Sequence, residues 1–211
     1  MNLPATPSFT SDARRRAPAT ARNRDPILAV LSRVLPAAGI VLEIAGGSGE
    51  HAVHFAGALP GVTWLASDPD AASLASIQAW RRAAGLPNLL PPIALDVETA
   101  CWDAPLGLSA VVCINMIHIA PWSAAQALFA GAARHLQEGG VLFLYGPYRR
   151  DGAHTAPSNA AFDRDLRGRD ARWGIRDLEA MRALAEAEGF TLEEEVPMPA
   201  NNLSLVFRRL R

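Results

Sequence analysis

The segment VLEIAGGSGEH, residues 41–51, places three glycines and a serine directly after an apolar run that carries an acid. Glycine lacks a Cβ, so the backbone at Gly46, Gly47 and Gly49 can approach a ligand closely. A helical pattern follows, and the first N–H groups of such a helix point toward whatever the turn holds. The segment therefore predicts a strand, a ligand-binding turn and a helix.

Two further acids follow later strand-like segments. Asp68 follows VTWLAS, and Asp96 ends PPIALD. A carboxylate offers two acceptor oxygens, so Asp68 could accept hydrogen bonds from both hydroxyls of a ribose. Asp96 and the N–H of Val97 lie where a purine amino group could be held. Together with the glycine turn, these positions favour a ligand that contains a nucleoside.

Two kinds of nucleotide cofactor fit this arrangement. Residues 47–52 match the dinucleotide pattern G-x-G-x-x-A, and Asp68 follows about 20 residues later. Glu43, however, precedes the turn, where a carboxylate would repel a pyrophosphate and attract a sulfonium or an amine. A P-loop is excluded because no Gly-Lys-Ser/Thr follows the glycines. We therefore expect S-adenosylmethionine as the cofactor, with an NAD-dependent oxidoreductase as the weaker alternative.

Alternating strand-like and helix-like segments position these residues. The runs GIVLEIA, VTWLAS, PPIALD, LSAVVCINMI and VLFLYGP suit strands joined by helical crossovers, and FTLEEEVPM with LSLVFRRL suits a closing hairpin. The pattern predicts the α/β class, as a doubly wound, mostly parallel, seven-stranded Rossmann-like sheet with a C-terminal antiparallel hairpin. Such a hairpin fits a methyltransferase sheet better than a second mononucleotide-binding half. The ligand is expected at the carboxyl ends of the strands.

Helix boundaries are predicted from capping residues. Asp25 followed by Pro26 predicts the start of the first helix, because proline is favoured at the first helical position. Asp70 predicts the start of the helix after the second strand, and Gly85 predicts its end. The helix SAAQALFAGAARHL is expected to stop at the glycine pair 139–140.

Length and composition predict the organisation of the chain. We expect a flexible tail at residues 1–20 and one domain at residues 21–211, with residues 147–174 as a substrate lid. The formal net charge of −1 gives no general attraction to nucleic acid or anionic lipid. No apolar run reaches the roughly 18 residues of a membrane span. The two cysteines have neither disulfide nor zinc-site spacing. We expect a cytoplasmic protein without a metal ion, and its oligomeric state stays open.

Several segments carry a family resemblance. LEIAGGSGEH resembles the first motif of class I S-adenosylmethionine-dependent methyltransferases, acid-x-Gly-x-Gly-x-Gly, with Ala45 in place of the first glycine. Across about residues 20–209, the chain also resembles the methyltransferase-like 26 family, described as domain of unknown function 938. The segments that carry this second resemblance are RNRDPIL, HAVHFA, SDPD, CINMIHIAPW, LYGPYRRDGAHTAPSNAAFD, WGIRDLE and MPANNLSLVFRR. The resemblance implies the class I methyltransferase fold and S-adenosylmethionine as cofactor, and it supplies no methyl acceptor.

The resemblance also implies roles for individual residues. The turn would contact the methionine moiety of the cofactor through Glu43, Ala45, Gly47 and Gly49, with Gly46 inside the same turn. Asn115 and Met116 would cover the cofactor from the fourth strand, and Asn23 would close over the site from the N-terminal side.

Candidate catalytic and acceptor-binding residues follow the fourth and fifth strands. Methyl transfer needs a general base only when the acceptor must lose a proton, and His118 is our candidate for that base. Tyr148 could hydrogen-bond the acceptor, and Trp122 could wall its pocket, although packing is the commoner role of aromatic residues. His154 and Asn159 lie in the predicted lid. We expect a methyltransferase that acts on a small molecule. A catalytically silent binding module of the same fold remains the alternative, since no obligatory catalytic signature is present.

Overall fold

The computed structural model describes residues 12–210 of the chain. Its ten strands are β1 (Gly39–Ile44), β2 (Val62–Asp68), β3 (Ile93–Ala94), β4 (Leu108–Ile114), β5 (Leu136–Gly146), β6 (Tyr148–Arg150), β7 (Ala153–His154), β8 (Arg176–Asp177), β9 (Phe190–Met198) and β10 (Asn202–Arg209). Its six α-helices are α1 (Pro18–Val34), α2 (Glu50–Ala58), α3 (Ala71–Ala84), α4 (Trp122–His135), α5 (Pro157–Arg169) and α6 (Leu178–Ala187). Two 3-10 turns lie at Ile117–Ile119 and Pro199–Asn201.

Seven strands form one sheet in the order β3-β2-β1-β4-β5-β10-β9. The pairs β1–β2, β1–β4, β2–β3 and β4–β5 are parallel, and β10 runs antiparallel to both β5 and β9. The predicted fold class, including the C-terminal antiparallel hairpin, is confirmed. The strands β7, β6 and β8 form a second sheet of three strands. In the chain, β6 and β7 follow β5, and β8 follows α5.

The core has two apolar layers because alternate residues of a strand face opposite sides of the sheet. On one side, Leu42 and Val111 pack in a cluster with Phe129 of α4 and Met181 of α6. On the other side, Val41, Val112 and Phe143 pack with residues of three helices, namely Ile27 of α1, Phe55 of α2 and Ile77 of α3. Both faces are therefore covered, and the carboxyl ends of the strands remain to form a site.

The start of α1 differs from the sequence prediction. The helix begins at Pro18, and Pro26 lies inside it. Proline at an interior position removes one backbone hydrogen bond, but the buried apolar residues that follow it hold the helix to the sheet, namely Ile27, Val30, Leu31 and Val34. The predicted start at Pro26 is therefore wrong, and Pro18 has the favoured N-terminal position instead.

The segment before α1 is attached to the domain. The N–H of Arg15 donates to Ser76 Oγ at 2.8 Å, and the N–H of Ala17 donates to Glu50 Oε2 at 2.6 Å. The indole N–H of Trp80 donates to the carbonyl oxygen of Arg15 at 2.9 Å. The predicted tail of residues 1–20 thus overlaps a hydrogen-bonded segment and the first turn of α1, while its residues 1–11 lie outside the described residues.

Two other helix boundaries can be compared with the structure. Asp70 caps α3 by accepting a hydrogen bond from the N–H of Ser73, and Gly85 ends that helix in the left-handed conformation, so both predictions are confirmed. The helix α4 ends at His135 and not at the glycine pair 139–140. The strand β5 begins directly at Leu136, because Leu136 is buried and pairs with Leu108 of β4. Within residues 12–210, no helix is both long and apolar enough to cross a bilayer.

Candidate active site

The turn between β1 and α2 lies tightly against α3. The N–H of Gly46 donates to the carbonyl oxygen of Ser67 at 2.8 Å. A Cβ at Gly49 would lie 2.7 Å from Cα of Ile77, and the φ of Gly49 is 87°. Any side chain at Gly49 would therefore force the turn away from α3. This glycine is required by packing, which by itself says nothing about a ligand.

Gly47 differs from Gly49 in what surrounds it. Its φ is 58°, and a Cβ there would meet only the carbonyl oxygen of Ala45, at 3.9 Å. Ala45 also has a positive φ, of 54°, so the turn uses the left-handed region twice in three residues. The open side of Gly47 leaves the backbone accessible at the carboxyl end of β1.

Asp68, at the end of β2, is held against this turn. The N–H of Gly47 donates to its Oδ2 at 2.9 Å, and the N–H of Asp70 donates to its Oδ1 at 2.9 Å. The carboxylate is buried. Each carboxylate oxygen has more than one lone pair, so both can accept a further hydrogen bond from a ligand hydroxyl. The position predicted for ribose recognition is thus fixed in orientation by two backbone donors.

Glu43 lies deeper than the turn and has a different partner. Its side chain is 1% exposed, and its Oε2 accepts a hydrogen bond from the indole N–H of Trp64 at 2.8 Å. Burial raises the pKa of Glu43 to about 7, the charge of Asp68 adds to this rise, and the Trp64 hydrogen bond opposes it. The carboxylate is therefore engaged inside the protein.

The raised pKa of Glu43 leads to a testable expectation for stability. Because the folded-state pKa lies above the ordinary glutamate pKa of 4.5, the wild type loses stability as pH rises from 4.5 through about 7. Glu43→Gln removes the buried charge, so we expect it to raise the free energy of unfolding at pH 8.5 by up to about 3 kcal/mol and to change it little at pH 4.5. Denaturant titrations at both pH values measure this difference. The exposed Glu186→Gln is the control, and an equal effect of Glu43→Gln at both pH values would contradict the expectation.

The region after β3 contains the predicted purine-binding pair. Asp96 is exposed, and its Oδ1 accepts a hydrogen bond from the N–H of Glu98 at 3.0 Å. Val97 is buried, and its carbonyl oxygen accepts a hydrogen bond from the indole N–H of Trp102 at 3.2 Å. Asp96 is thus free to face a ligand, whereas Val97 offers only its main chain and its apolar surface.

A cavity of about 560 Å³ lies beyond the ends of β4 and β5, between α1, α5 and the turn that precedes β10. Its lining residues are Ala19, Arg22, Asn23, Asn115, His118, Ile119, Tyr145, Pro147, Ser158, Asn159, Phe162, Pro199, Ala200, Asn201 and Asn202. This volume suits a small-molecule ligand. Four of the residues proposed from the sequence line it, namely Asn23, Asn115, His118 and Asn159.

His118 lies in the 3-10 turn after β4 and is 5% exposed. Its ring forms no hydrogen bond with any described residue and contacts Phe162 edge-to-face, with ring centroids 5.5 Å apart. Gly146 makes room for it, since a Cβ there would lie 3.1 Å from His118 Nδ1. Burial lowers the pKa of His118 to about 4, and the nearby charge of Arg176 adds to this effect. The imidazole is therefore neutral at pH 7 and can accept a proton.

Two asparagines that line the cavity are held by neighbouring elements. Asn115 directly follows β4, has a φ of 61°, and donates its N–H to the carbonyl oxygen of Tyr145 at 2.9 Å. Oδ1 of Asn23, in α1, lies 2.8 Å from Nε2 of His51, in the first turn of α2. Met116, predicted beside Asn115, is buried in the core and does not line the cavity.

Asn159 joins the first turn of α5 to the hairpin turn. Its Nδ2 donates to the carbonyl oxygen of Asn201 at 3.1 Å, and Nδ2 of Asn201 donates to Ser158 Oγ at 3.3 Å. Ala200 and Asn201 both have positive φ, of 57° and 56°, which non-glycine residues rarely adopt. The first turn of α5 and the hairpin turn therefore lie on the same side of the cavity.

Sequence reasoning missed Tyr145, which is the second-last residue of β5. It is buried and lines the cavity. Burial raises its pKa, while hydrogen bonds with Asn23 and Asn202 and the charge of Arg22 oppose that rise. The rule that ligands lie at strand ends could have identified this residue, because VLFLYGP was already predicted as the fifth strand.

Three residues proposed from the sequence do not line the cavity. Tyr148 is 2% exposed and packs in the core, where burial raises the pKa of its hydroxyl. Trp122, at the start of α4, packs beside the core. The guanidinium carbon of Arg176 lies 5.9 Å from the centroid of the Trp122 ring. His154 lies in β7 with its Nε2 3.6 Å from Asp163 Oδ2. The suggested acceptor contacts of these side chains stay predictions, and this cavity does not supply them.

Solved structures of methyltransferases share this fold. SibL, an S-adenosylmethionine-dependent methyltransferase, is 21% identical with a TM-score of 0.75, over 92% of this chain and 56% of SibL. An O-methyltransferase family protein from Burkholderia thailandensis is 17% identical with a TM-score of 0.77, over 91% and 57% of the two chains. Human N-acetylserotonin methyltransferase in complex with S-adenosylmethionine is 13% identical with a TM-score of 0.73, over 92% and 53%. The chain thus spans little more than half the length of these proteins, and the likeness shows the fold.

A family match covers nearly all of the described residues. It extends over the first helix, the glycine turn, the lid segment and the closing hairpin. The sequence resemblance to domain of unknown function 938 is thereby confirmed. Residues 14–209 match the family described as Protein of unknown function (DUF938), and the chain belongs to this family.

Proposed function

We propose that the protein is an S-adenosylmethionine-dependent methyltransferase that acts on a small molecule. The observation that carries this proposal is the position of His118, which is buried, neutral and without a hydrogen-bond partner among the described residues, at a cavity beside the cofactor edge of the sheet. The fold of the three solved methyltransferases supports the proposal.

The residues at the carboxyl ends of β1, β2 and β3 fit such a cofactor. Asp68 would bind the ribose hydroxyls through oxygens that Gly47 and Asp70 already orient. The open backbone at Gly47 would admit the methionine moiety, and Asp96 would accept a hydrogen bond from the adenine amino group. A carboxylate at Glu43, directly before the turn, would disfavour a pyrophosphate, which argues against NAD. When bound, S-adenosylmethionine would supply a methyl carbon that a nucleophile can attack, with the sulfonium sulfur leaving as a neutral thioether.

The residues of the cavity would prepare the acceptor. A neutral His118 would take the proton from an acceptor hydroxyl or amine as that atom becomes nucleophilic. Asn23 and Asn115 would orient the acceptor between His118 and the glycine turn, and their own positions are fixed by His51 and Tyr145. The lid segment and the hairpin turn would exclude water from this space. Catalysis would then consist mainly of positioning.

Calorimetric titration of the full chain with S-adenosylmethionine and, separately, with NAD tests the proposal. We expect S-adenosylmethionine to bind with micromolar affinity and NAD not to bind. Labelled methyl transfer to a small-metabolite extract is the second measurement. Binding without any transfer would favour the silent-module alternative, and binding of NAD alone would overturn the cofactor assignment.

A further inference from the structure

The cavity contains no acidic side chain among its described lining residues. Its titratable side chains are Arg22, His118 and Tyr145. The lowered pKa of His118 and the raised pKa of Tyr145 keep both of them neutral at pH 7. Arg22 therefore supplies the only formal charge of the described lining, and that charge is positive. A cationic acceptor would find no counter-charge there.

Arg22 also lacks a partner within residues 12–210. It forms no hydrogen bond and no ion pair with another described residue. Arg22 is exposed, and it lines the cavity on the α1 side. Other arginines of the N-terminal segment are paired, such as Arg14 with Asp12 and Arg16 with Glu50. The planar guanidinium has five N–H donors, and it matches the two oxygens of a carboxylate.

The rest of the cavity fits the body of a small organic acid. Phe162 and Ile119 are exposed apolar side chains that line it. The first turn of α5 contains no acid, and Ser158 and Asn159 of that turn line the cavity. His118 is a buried polar side chain that lines the cavity without a partner. Apolar surface, positive potential and an available base thus meet in one space.

We propose that the methyl acceptor is a small organic acid whose carboxylate pairs with Arg22 and whose nucleophilic hydroxyl or amine faces His118. This inference rests on the proposed methyltransferase function and specifies its substrate class. The carboxylate remains charged throughout, because its role is to anchor the molecule at the α1 side of the cavity. The proton that leaves the nucleophile passes to His118, and the methyl group passes from the sulfonium to the nucleophile.

Matched pairs of acids and amides test the inference by binding, without any requirement for turnover. The probes are ortho-, meta- and para-hydroxybenzoate and the corresponding hydroxybenzamides, measured by ligand-observed NMR with the full chain in the presence of S-adenosylhomocysteine. We expect at least one acid to bind about tenfold more tightly than its amide. Arg22→Gln should abolish this preference, and Arg22→Lys should retain part of it.

Arg82→Gln is the matched control, because Arg82 is an exposed arginine on α3 that does not line the cavity. It should keep the preference for the acid. The inference is overturned if no acid binds better than its amide, which includes a panel in which nothing binds, or if Arg22→Gln keeps the preference. Titration of Arg22→Gln with S-adenosylmethionine is run in parallel. If the wild type binds the cofactor normally but binds acid and amide equally, only the substrate class is rejected. If the wild type does not bind the cofactor, the proposed function is rejected.

Discussion

Replacing His118 with alanine is expected to lower the rate of methyl transfer by about 100- to 10,000-fold and to leave the affinity for S-adenosylmethionine within about twofold of wild type. The imidazole is buried, neutral and without a hydrogen-bond partner among the described residues, so its removal leaves the acceptor proton without a base. The main-chain carbonyl of His118, which accepts a hydrogen bond from the N–H of Gly174 at 3.0 Å, is unaffected by the substitution. Single-turnover rates with saturating cofactor measure the first effect, and calorimetry measures the second.

His135→Ala is the matched control for His118→Ala. His135 is also buried, but it stacks on Trp102 and its Nδ1 lies 2.8 Å from the carbonyl oxygen of Gly131, away from the cavity. This substitution should reduce stability and leave the transfer rate per folded molecule unchanged. If His118→Ala reduced cofactor affinity and transfer rate by the same factor, His118 would have a structural role.

The pH dependence of the rate provides a second test of His118. Since the neutral imidazole is the active form and its pKa is lowered to about 4, the His118-dependent rate should rise with pH through about 4 and be level from pH 6 to 7. An exposed histidine would instead produce the rise near the ordinary histidine pKa of 6.5. A rise centred near 6.5 that depends on His118 would show that the ring is solvated in the working enzyme.

Asp68→Ala is expected to weaken the binding of S-adenosylmethionine by about 1.5–3 kcal/mol, or about ten- to a hundredfold in Kd. The substitution removes a carboxylate whose two oxygens are held by the N–H groups of Gly47 and Asp70 and would accept the ribose hydroxyls. It also frees the glycine turn from one of its hydrogen bonds, so a lower melting temperature is expected as well. Calorimetric titration and thermal unfolding of the same variant separate the two effects.

Asp70→Ala is the control for Asp68→Ala. Asp70 caps α3 by accepting the N–H of Ser73 at 2.9 Å, so its loss should cost about 1 kcal/mol of stability. Its carboxylate is exposed and is not proposed to bind the ribose. Cofactor affinity should therefore stay near the wild-type value. Equal affinities of wild type and Asp68→Ala would mean that the ribose binds elsewhere.

Much of the proposed cofactor site is local in the chain and was predictable for that reason. A glycine turn between an apolar strand and a helix is visible as one short segment, and Asp68 and Asp96 follow strands whose carboxyl ends meet at one edge of a parallel sheet. His118 was predictable by the same rule after β4. The cavity was less predictable, because it is assembled from α1, α5 and the hairpin turn, which are far apart in sequence.

The two tyrosines near the end of β5 illustrate this difference. Tyr145 and Tyr148 are three residues apart, and composition does not distinguish them. Tyr145 remains in β5 and faces the cavity, whereas Tyr148 begins β6, where its pairing with Arg176 of β8 directs the chain into the second sheet and its ring into the core. A side chain's orientation after a strand end depends on which strand pairs next, and that pairing is a tertiary contact.

By itself, the sequence determined the alternation of strands and helices, the glycine turn and the acids that follow β2 and β3. Hydrophobic periodicity and glycine geometry act over a few residues, so these features can be recognised locally. Only the tertiary structure decided that α1 begins at Pro18, that Tyr145 faces the cavity and that Arg22 is its one charged lining residue among those described. Burial and charge pairing depend on neighbours that are distant in the chain, and these exist only after the sheet and its helices have packed.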